Sequence, residues 1–266
     1  MPHAIVAAGT GRYSDPWHPF VSTSRLIAEA LEADGWTVTL EDDLDSALAG
    51  LGGAVLPDRA LDLDGADHSD GSVLPEGAPL PHGVVLPDAE PPDLLVVNAG
   101  DPWRNGETGH GAPDAAVAGL RAALDRGIGI LAVHNAVSTL RDYPEWRSAI
   151  GGAWIEGRSF HPEISEATVR VLARHPVTAR VTTGETGAFR LFDERYTDLA
   201  VDADVTVLAV HEHEGRTHPL VWTHEYGATR AVVSALGHDE RSFASPEHVD
   251  LLRGAARWAA RLDAEG

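Results

Sequence analysis

The chain has 266 residues, of which 41 are Asp or Glu and 20 are Lys or Arg, so its formal charge at pH 7 is −21. It contains no cysteine and no lysine, which excludes thiol nucleophiles, disulfides, cysteine-bound metals, Schiff-base lysines and the lysine of a P-loop. The negative field repels phosphate backbones, and therefore we expect no nucleic-acid partner.

The first half of the chain is predicted to alternate strands with helices. Strands are predicted at 3–9, 37–43 and 92–100 and in the apolar run that ends at His134, and helices at 22–36 and at about 114–126. In the first of these helices Leu26, Ile27, Ala30 and Leu31 fall at helical spacing. Such alternation is typical of βαβ units, so we predict an α/β fold with a doubly wound, mostly parallel sheet of the flavodoxin-like type.

The segment at about 52–92 interrupts this pattern, because it is rich in Pro, Gly and Asp. Its stretch "DLDGADHSD" does not have the spacing of an EF-hand calcium loop, so a solvated excursion is the better interpretation. The length of the chain and the remaining pattern fit a single domain over 1–266 that carries this insertion.

The second half contains further strands and a last helix. Strands are predicted at 167–173, 204–213, 218–225 and 229–236. The helix is predicted to open with Ser245 as its cap and Pro246 in its first turn. In "HEHE", His211 and His213 could chelate a metal, but Gly215 follows at once and favours an exposed hairpin tip.

Polar side chains stand at the ends of several predicted strands. Asn98, His134 and His238 end or follow apolar runs, and His18 lies in the turn after the first strand. In doubly wound sheets, ligands bind outside the carboxyl ends of the strands. A single buried histidine is usually just hydrogen-bonded, but three at such ends predict a site.

His134 has the setting of a strained nucleophile elbow, because the strand "GIGILAV" delivers it directly before small residues. Imidazole is a poor acyl nucleophile, and the chain shows no G-x-S-x-G motif around Ser138. We therefore interpret His134 as an acid/base group or a metal ligand.

Several stretches, taken in order, resemble the ThuA-like (trehalose utilisation) family. They are "WHPFVSTSRLIAEALEADGWTV", "GILAVHNA", "IGGAWIEGRSFHPE", "RHPVTARV", "FRLFDERYTDL", "HPLVWTHEYGATRAVVSALGHDERSF" and "LLRGAARWA". The resemblance implies a fold related to class I glutamine amidotransferases, with His134 at the position of their cysteine. Glutamine hydrolysis by that route is therefore excluded.

The resemblance also implies a set of residues around the cleft. The catalytic candidates are His134, His161, Glu194 and His238, and the same four would be the ligands of a metal such as zinc. The candidates for substrate binding are His18, Asn98, Asp101, Asn135, Tyr196 and Trp222. Among these, Tyr196 and Trp222 could supply a wall on which a sugar stacks.

The expected function is carbohydrate utilisation, by an enzyme that acts on a sugar or keto-sugar derivative as a hydrolase, isomerase or lyase. His134 would be a general base or metal ligand, Glu194 a second acid/base group or ligand, and His161 and His238 would orient or coordinate. The alternative is a non-catalytic sugar-binding or regulatory protein that keeps the fold without the cysteine.

The partner expected from this interpretation is a small carbohydrate, and a homo-oligomer is an open alternative. No run approaches the roughly 18 apolar residues of a membrane span, and no signal segment opens the chain. We therefore expect a cytoplasmic protein without a membrane partner.

Overall fold

A computed structural model describes residues 1–53, 90–102 and 111–262 of the chain. The insertion predicted at about 52–92 falls almost entirely on 54–89, outside the described residues. The single-domain organisation accordingly stays a prediction.

The described residues form eleven strands and five α-helices. The strands are β1 (His3–Ala8), β2 (Thr37–Glu41), β3 (Leu94–Asn98), β4 (Gly129–Val133), β5 (Gly152–Ala153), β6 (Ser165–Val171), β7 (Ala188–Asp193), β8 (Ala200–Val201), β9 (Thr206–His213), β10 (Arg216–Tyr226) and β11 (Thr229–Ser234). The helices are α1 (Phe20–Ala33), α2 (Leu44–Gly50), α3 (Asp114–Arg126), α4 (Trp146–Ile150) and α5 (Pro246–Ala259). Each strand and helix predicted above is present, with its ends shifted by a few residues.

The main sheet has nine strands in the order β2-β1-β3-β4-β11-β10-β9-β6-β7, and β5 pairs with β8 in a small second sheet. The strands from β2 to β11 in this order pair in parallel, whereas the pairs from β11 to β7 are antiparallel. Only β10 and β6 therefore run against the common direction, which confirms the mostly parallel α/β sheet.

Helices cover the parallel half of the sheet. Strands β3 and β4 are buried along their whole length, as expected for parallel strands with both faces covered. Helix α1 packs with α5, and α2 packs with α3. The second pair approaches so closely that a Cβ on Gly119 would lie 2.0 Å from the carbonyl oxygen of Leu48, which explains the glycine there.

The "HEHE" stretch ends β9, and the hairpin tip lies at Glu214 and Gly215, both with positive φ. The tip is therefore where the sequence predicted it. His211, however, is buried, and its Nε2 lies 3.1 Å from the carbonyl oxygen of Tyr196. Its position within the strand, rather than at the tip, explains this burial.

Helix α5 begins as predicted, because the Ser245 hydroxyl accepts from the backbone N–H of His248 and Pro246 occupies the first turn. The His248 ring is fully buried beside Phe243, and its Nδ1 lies 3.0 Å from the carbonyl oxygen of Ser242. Burial lowers the pKa of His248 to about 4. The folded protein thus holds this ring neutral over a pH range in which the unfolded chain protonates it.

The contribution of His248 to stability should be complete above the unfolded pKa of ~6.5 and should disappear as the pH falls through about 4. We expect the stability advantage of the wild type over His248→Asn to shrink by about 3 kcal/mol between pH 7 and pH 4. The asparagine amide can still donate to Ser242 but does not titrate. Urea unfolding of both proteins across this pH range measures the difference, and a constant difference would contradict the prediction.

Among the helices that the structure describes, none is both long enough and apolar enough to cross a membrane.

Candidate functional site

Three of the polar side chains predicted near strand ends, His18, His134 and His238, meet at one edge of the sheet. Strands β1, β3, β4 and β11 run parallel, so the segments that follow their carboxyl ends leave the sheet on the same side. These segments carry His18, Asp101, His134 and His238. Glu194, directly after β7, joins them from the antiparallel half.

His134 stands at a sharp turn between β4 and a 3-10 turn over His134–Val137. Its φ of +48° lies in the left-handed region, which residues other than glycine rarely adopt, so the predicted elbow-like backbone is present. Its side chain is 1% exposed, its Nδ1 lies 3.1 Å from the carbonyl oxygen of Ala235, and the ring of Tyr196 covers it at a centroid distance of 4.3 Å.

Three donor atoms form a nearly equilateral triangle at the floor of the site. The Nε2 of His134 lies 3.4 Å from the Oε2 of Glu194 and 3.4 Å from the Nδ1 of His238. The third side, from His238 Nδ1 to Glu194 Oε2, measures 3.3 Å. The other oxygen of Glu194 lies 3.0 Å from the Nδ1 of His161. One carboxylate therefore contacts three imidazoles.

Asp193 holds Glu194 and His238 together, although sequence reasoning did not identify it. Its buried carboxylate accepts from the backbone N–H groups of Gly237 at 2.8 Å, His238 at 3.1 Å and Glu194 at 2.8 Å. Burial raises the pKa of Asp193 to about 6. The Asp-Glu pair after a predicted strand was the available signal, but the turn at 237–238 lies too far along the chain to be linked to it.

Asp15 orients His18 and was also missed. Both of its oxygens lie 2.8 Å from the Nδ1 of His18, and one accepts from the backbone N–H of Trp17 at 2.9 Å. Burial opposes ionisation of Asp15, but the contacts with His18 and the backbone N–H of Trp17 together outweigh burial and lower the pKa of Asp15. Asn135 lies 3.4 Å from Asp15, a long contact. The motif "DPWH" contained the signal, since it places Asp15 three residues before His18.

The groups of the triangle have shifted pKa values in different directions. Burial lowers the pKa of His134 to about 4. Burial would raise the pKa of Glu194, but its contacts with His134, His161 and His238 outweigh burial and hold it far below the usual range. Burial would lower the pKa of His238, but contact with Glu194 raises it. The site thus combines an ionised carboxylate with imidazoles of unequal basicity.

A cavity of about 740 Å³ opens above the triangle. Its walls are formed by Trp17, His18, Asp101, Arg141, Glu156, His161, Glu194, Tyr196 and His238. Arg141 pairs with the buried Asp101 at 2.5 Å, and the side chain of His161 is 40% exposed, against 13% for His238. This volume suits a small ligand, and both polar and aromatic side chains line it.

Three predicted substrate contacts do not line the cavity and are corrected here. Asn135 is buried, and its side-chain oxygen accepts from the Ser138 hydroxyl. Trp222 is fully buried in the core, where its indole N–H donates to the carbonyl oxygen of Ile150 at 2.8 Å. Asn98 is also buried, and its amide donates to the hydroxyls of Thr23 and Ser24 at 2.9 Å. Neither Trp222 nor Asn98 lines the cavity. Asn98 is held against α1 by its hydrogen bonds, and Trp222, on β10, is held in the core by its hydrogen bond to Ile150.

The predicted metal ligands differ from the group that the structure brings together. One donor atom each from His18, His134, Glu194 and His238 lies within 4.8 Å of the others. His161, predicted as a ligand, instead contacts the outer oxygen of Glu194. His18, predicted as a substrate contact, takes its place.

These features describe an α/β protein with a mostly parallel sheet and a histidine at a strand-end turn. The sequence profile of the ThuA family, described as trehalose utilisation, matches residues 93–259. The chain belongs to the ThuA family.

Solved structures share this fold at low sequence identity. A ThuA-like protein from Parabacteroides merdae is 18% identical with a TM-score of 0.63, over 98% of this chain and 90% of that one. A ThuA-like protein from Bacteroides uniformis is 14% identical with a TM-score of 0.63, over 97% and 91% of the two chains. A cytoplasmic protein from Salmonella typhimurium is 9% identical with a TM-score of 0.52, over 97% and 99%. No curated protein sequence matches the chain significantly.

Proposed function

We propose that this protein is an enzyme of carbohydrate utilisation that abstracts a proton next to the carbonyl group of a keto-sugar. The observation that carries the proposal is the contact between Glu194 and three imidazoles at the floor of a cavity of sugar size. Family membership supports the substrate class. Because the chain has no lysine and no cysteine, imidazoles and carboxylates such as these are the acid/base groups that the site can use.

We assign the proton transfer to His161, because the side chain of His134 is 1% exposed and lies below the cavity wall. With Nδ1 of His161 donating to Glu194 at 3.0 Å, Nε2 carries the lone pair of the neutral ring. This histidine–carboxylate pair has the arrangement in which a carboxylate orients a general base and stabilises its protonated form. His134 and His238 then contact the other oxygen of Glu194, Oε2, at 3.4 and 3.3 Å.

The proposed step conserves atoms and charge. Nε2 of His161 takes the proton from the carbon beside the carbonyl, and the electron pair of the C–H bond moves into an enolate on the substrate. His238, whose Nδ1 lies 3.3 Å from Glu194, faces the cavity and would donate to the enolate oxygen. Return of a proton to carbon completes an exchange or an isomerisation.

The cavity walls fit a polyhydroxylated ligand. Trp17 offers a ring that is 57% exposed, and sugars commonly stack on such rings. The pair of Arg141 and Asp101 offers fixed polar groups for hydroxyls. Trp17 thus takes the stacking role that was predicted for Trp222.

Deuterium exchange tests this function directly. A keto-derivative of trehalose is incubated with the full-length protein in D₂O, and mass spectrometry follows both exchange beside the carbonyl and formation of products. We expect exchange with the wild type and at least about 100-fold slower exchange with His161→Gln, because the amide accepts no proton. A ligand that raises the melting temperature without exchange or conversion would overturn the proposal in favour of a binding protein.

We also propose a cytoplasmic location. The similar protein from Salmonella typhimurium is cytoplasmic, and the same location would give this chain access to imported sugars.

A further inference from the structure

We propose that His18, His134, Glu194 and His238 form a binding site for one divalent transition metal ion of the zinc type. The inference concerns the site of the proposed function. Only the reaction that the ion would assist rests on that function. Binding of the ion itself follows from the arrangement of donor atoms.

The first argument is the spacing of the triangle. Its sides, between His134 Nε2, His238 Nδ1 and Glu194 Oε2, measure 3.4, 3.3 and 3.4 Å. Ligand atoms about 2.0–2.2 Å from a zinc ion in tetrahedral geometry lie about 3.3–3.6 Å from one another. The three atoms therefore already form one face of such a coordination shell.

The second argument is an unsatisfied nitrogen on His18. Its Nε2 is buried and has no hydrogen-bond partner in the part of the chain that the structure describes. A buried polar atom without a partner destabilises the folded protein, and a metal ion would satisfy it. Because a donor atom of His18 lies within 4.8 Å of the triangle atoms, His18 is suited to be the fourth ligand.

The third argument is the second layer of contacts. In metal sites, the remote nitrogen of a ligating histidine usually contacts a carboxylate or a backbone carbonyl. The Nδ1 of His18 contacts Asp15 at 2.8 Å, and the Nδ1 of His134 contacts the carbonyl oxygen of Ala235 at 3.1 Å. The outer oxygen of Glu194 contacts His161 at 3.0 Å, which leaves its Oε2 for the ion.

The ligand types select the kind of ion. Three imidazoles and one carboxylate suit zinc and its neighbours in the first transition row, whereas calcium and magnesium require mostly oxygen ligands. The cavity borders three of the four ligands, so a further position on that side could accept a water molecule or a substrate oxygen.

The test begins with the metal content of the full chain, purified without a histidine tag and without added metal. We expect about one equivalent of zinc or a similar ion by inductively coupled plasma mass spectrometry. The protein stripped with a chelator should regain one equivalent of Zn²⁺, and with Co²⁺ it should gain visible absorption bands.

Matched variants separate ligands from other histidines. Glu194→Gln keeps the shape but removes the charge, and His18→Asn keeps the contact with Asp15 but removes Nε2; both should lose most of the metal. His224→Asn is the control, because the Nδ1 of this buried histidine also contacts a backbone carbonyl at 3.1 Å, outside the site. Asp15→Asn should bind Zn²⁺ about 10–100-fold more weakly.

Either of two results would overturn the inference: a chain that takes up neither Zn²⁺ nor Co²⁺, or Glu194→Gln and His18→Asn chains that keep one equivalent. Equal melting temperatures of the metal-free variants and metal-free wild type would exclude misfolding as the cause of metal loss. A metal-bound protein without exchange activity would contradict the proposed function alone. A metal-free protein with exchange activity would contradict the metal site alone.

Discussion

Replacement of His134 by Asn is expected to reduce turnover of a keto-sugar at least about 100-fold while the protein stays folded. Asparagine is chosen because it tolerates the left-handed backbone, and the φ of His134 is +48°. It also keeps an N–H group near the carbonyl oxygen of Ala235, which His134 Nδ1 contacts at 3.1 Å. What it removes is Nε2, which contacts Glu194 and His238 at 3.4 Å.

The measurement is the initial rate of exchange and conversion, together with the circular dichroism spectrum and the urea midpoint. His224→Asn is the matched control and should keep wild-type activity, because it loses the same kind of buried ring outside the site. Full activity of His134→Asn would show that the strand-end histidine is only structural. Equal losses in both variants would point to damage to the core instead.

Two tryptophans should respond in opposite ways to replacement by alanine. Trp222 is fully buried, and it packs so tightly that a Cβ on Gly152 would lie 2.8 Å from its ring. We therefore expect the neighbouring residues to fill little of the space that its removal would leave. Trp222→Ala should lower the free energy of unfolding by about 3–5 kcal/mol, since it leaves a cavity and an unpaired carbonyl on Ile150. The part of the variant that folds should bind sugar normally.

Trp17 is 57% exposed and lines the cavity, so little packing depends on it. Trp17→Ala should leave the urea midpoint nearly unchanged but raise KM for a keto-sugar about fivefold, because stacking contributes about 1 kcal/mol. Urea unfolding and steady-state kinetics of both variants make the comparison. If Trp222→Ala instead raised KM without loss of stability, the original stacking assignment would be restored.

Local patterns predicted eight of the eleven described strands and three of the five described α-helices, but not β5, β7, β8, α2 or α4. The apolar runs of β3 and β4 and the spacing of Ile27, Ala30 and Leu31 reflect burial that the chain must satisfy in any compact state. The direction of pairing in the second half was not predicted. The local features that indicate antiparallel pairs there are the short turns at 214–215 and 227–228, and nothing local indicates how β6 pairs with β9.

The candidate site was predicted only in part, for a similar reason. Strand ends indicated His134 and His238, and resemblance to the family added His161 and Glu194, but neither could separate a residue in the cavity wall from a residue in the core. Trp222 and Asn98 were assigned to the cleft because aromatic and amide side chains serve both purposes. Their burial depends on neighbours that are distant in the chain.

The sequence by itself determined which chemistries are excluded and that polar residues end several buried strands. A chain without cysteine or lysine cannot form a thioester or a Schiff base, whatever its fold. Only the tertiary structure shows that His18, rather than His161, has a donor atom within 4.8 Å of those of His134, Glu194 and His238. His134 and His238 are 104 positions apart, and the parallel pairing of β4 with β11 brings them together. Such a contact follows from the order of strands in the sheet, which no local spacing encodes.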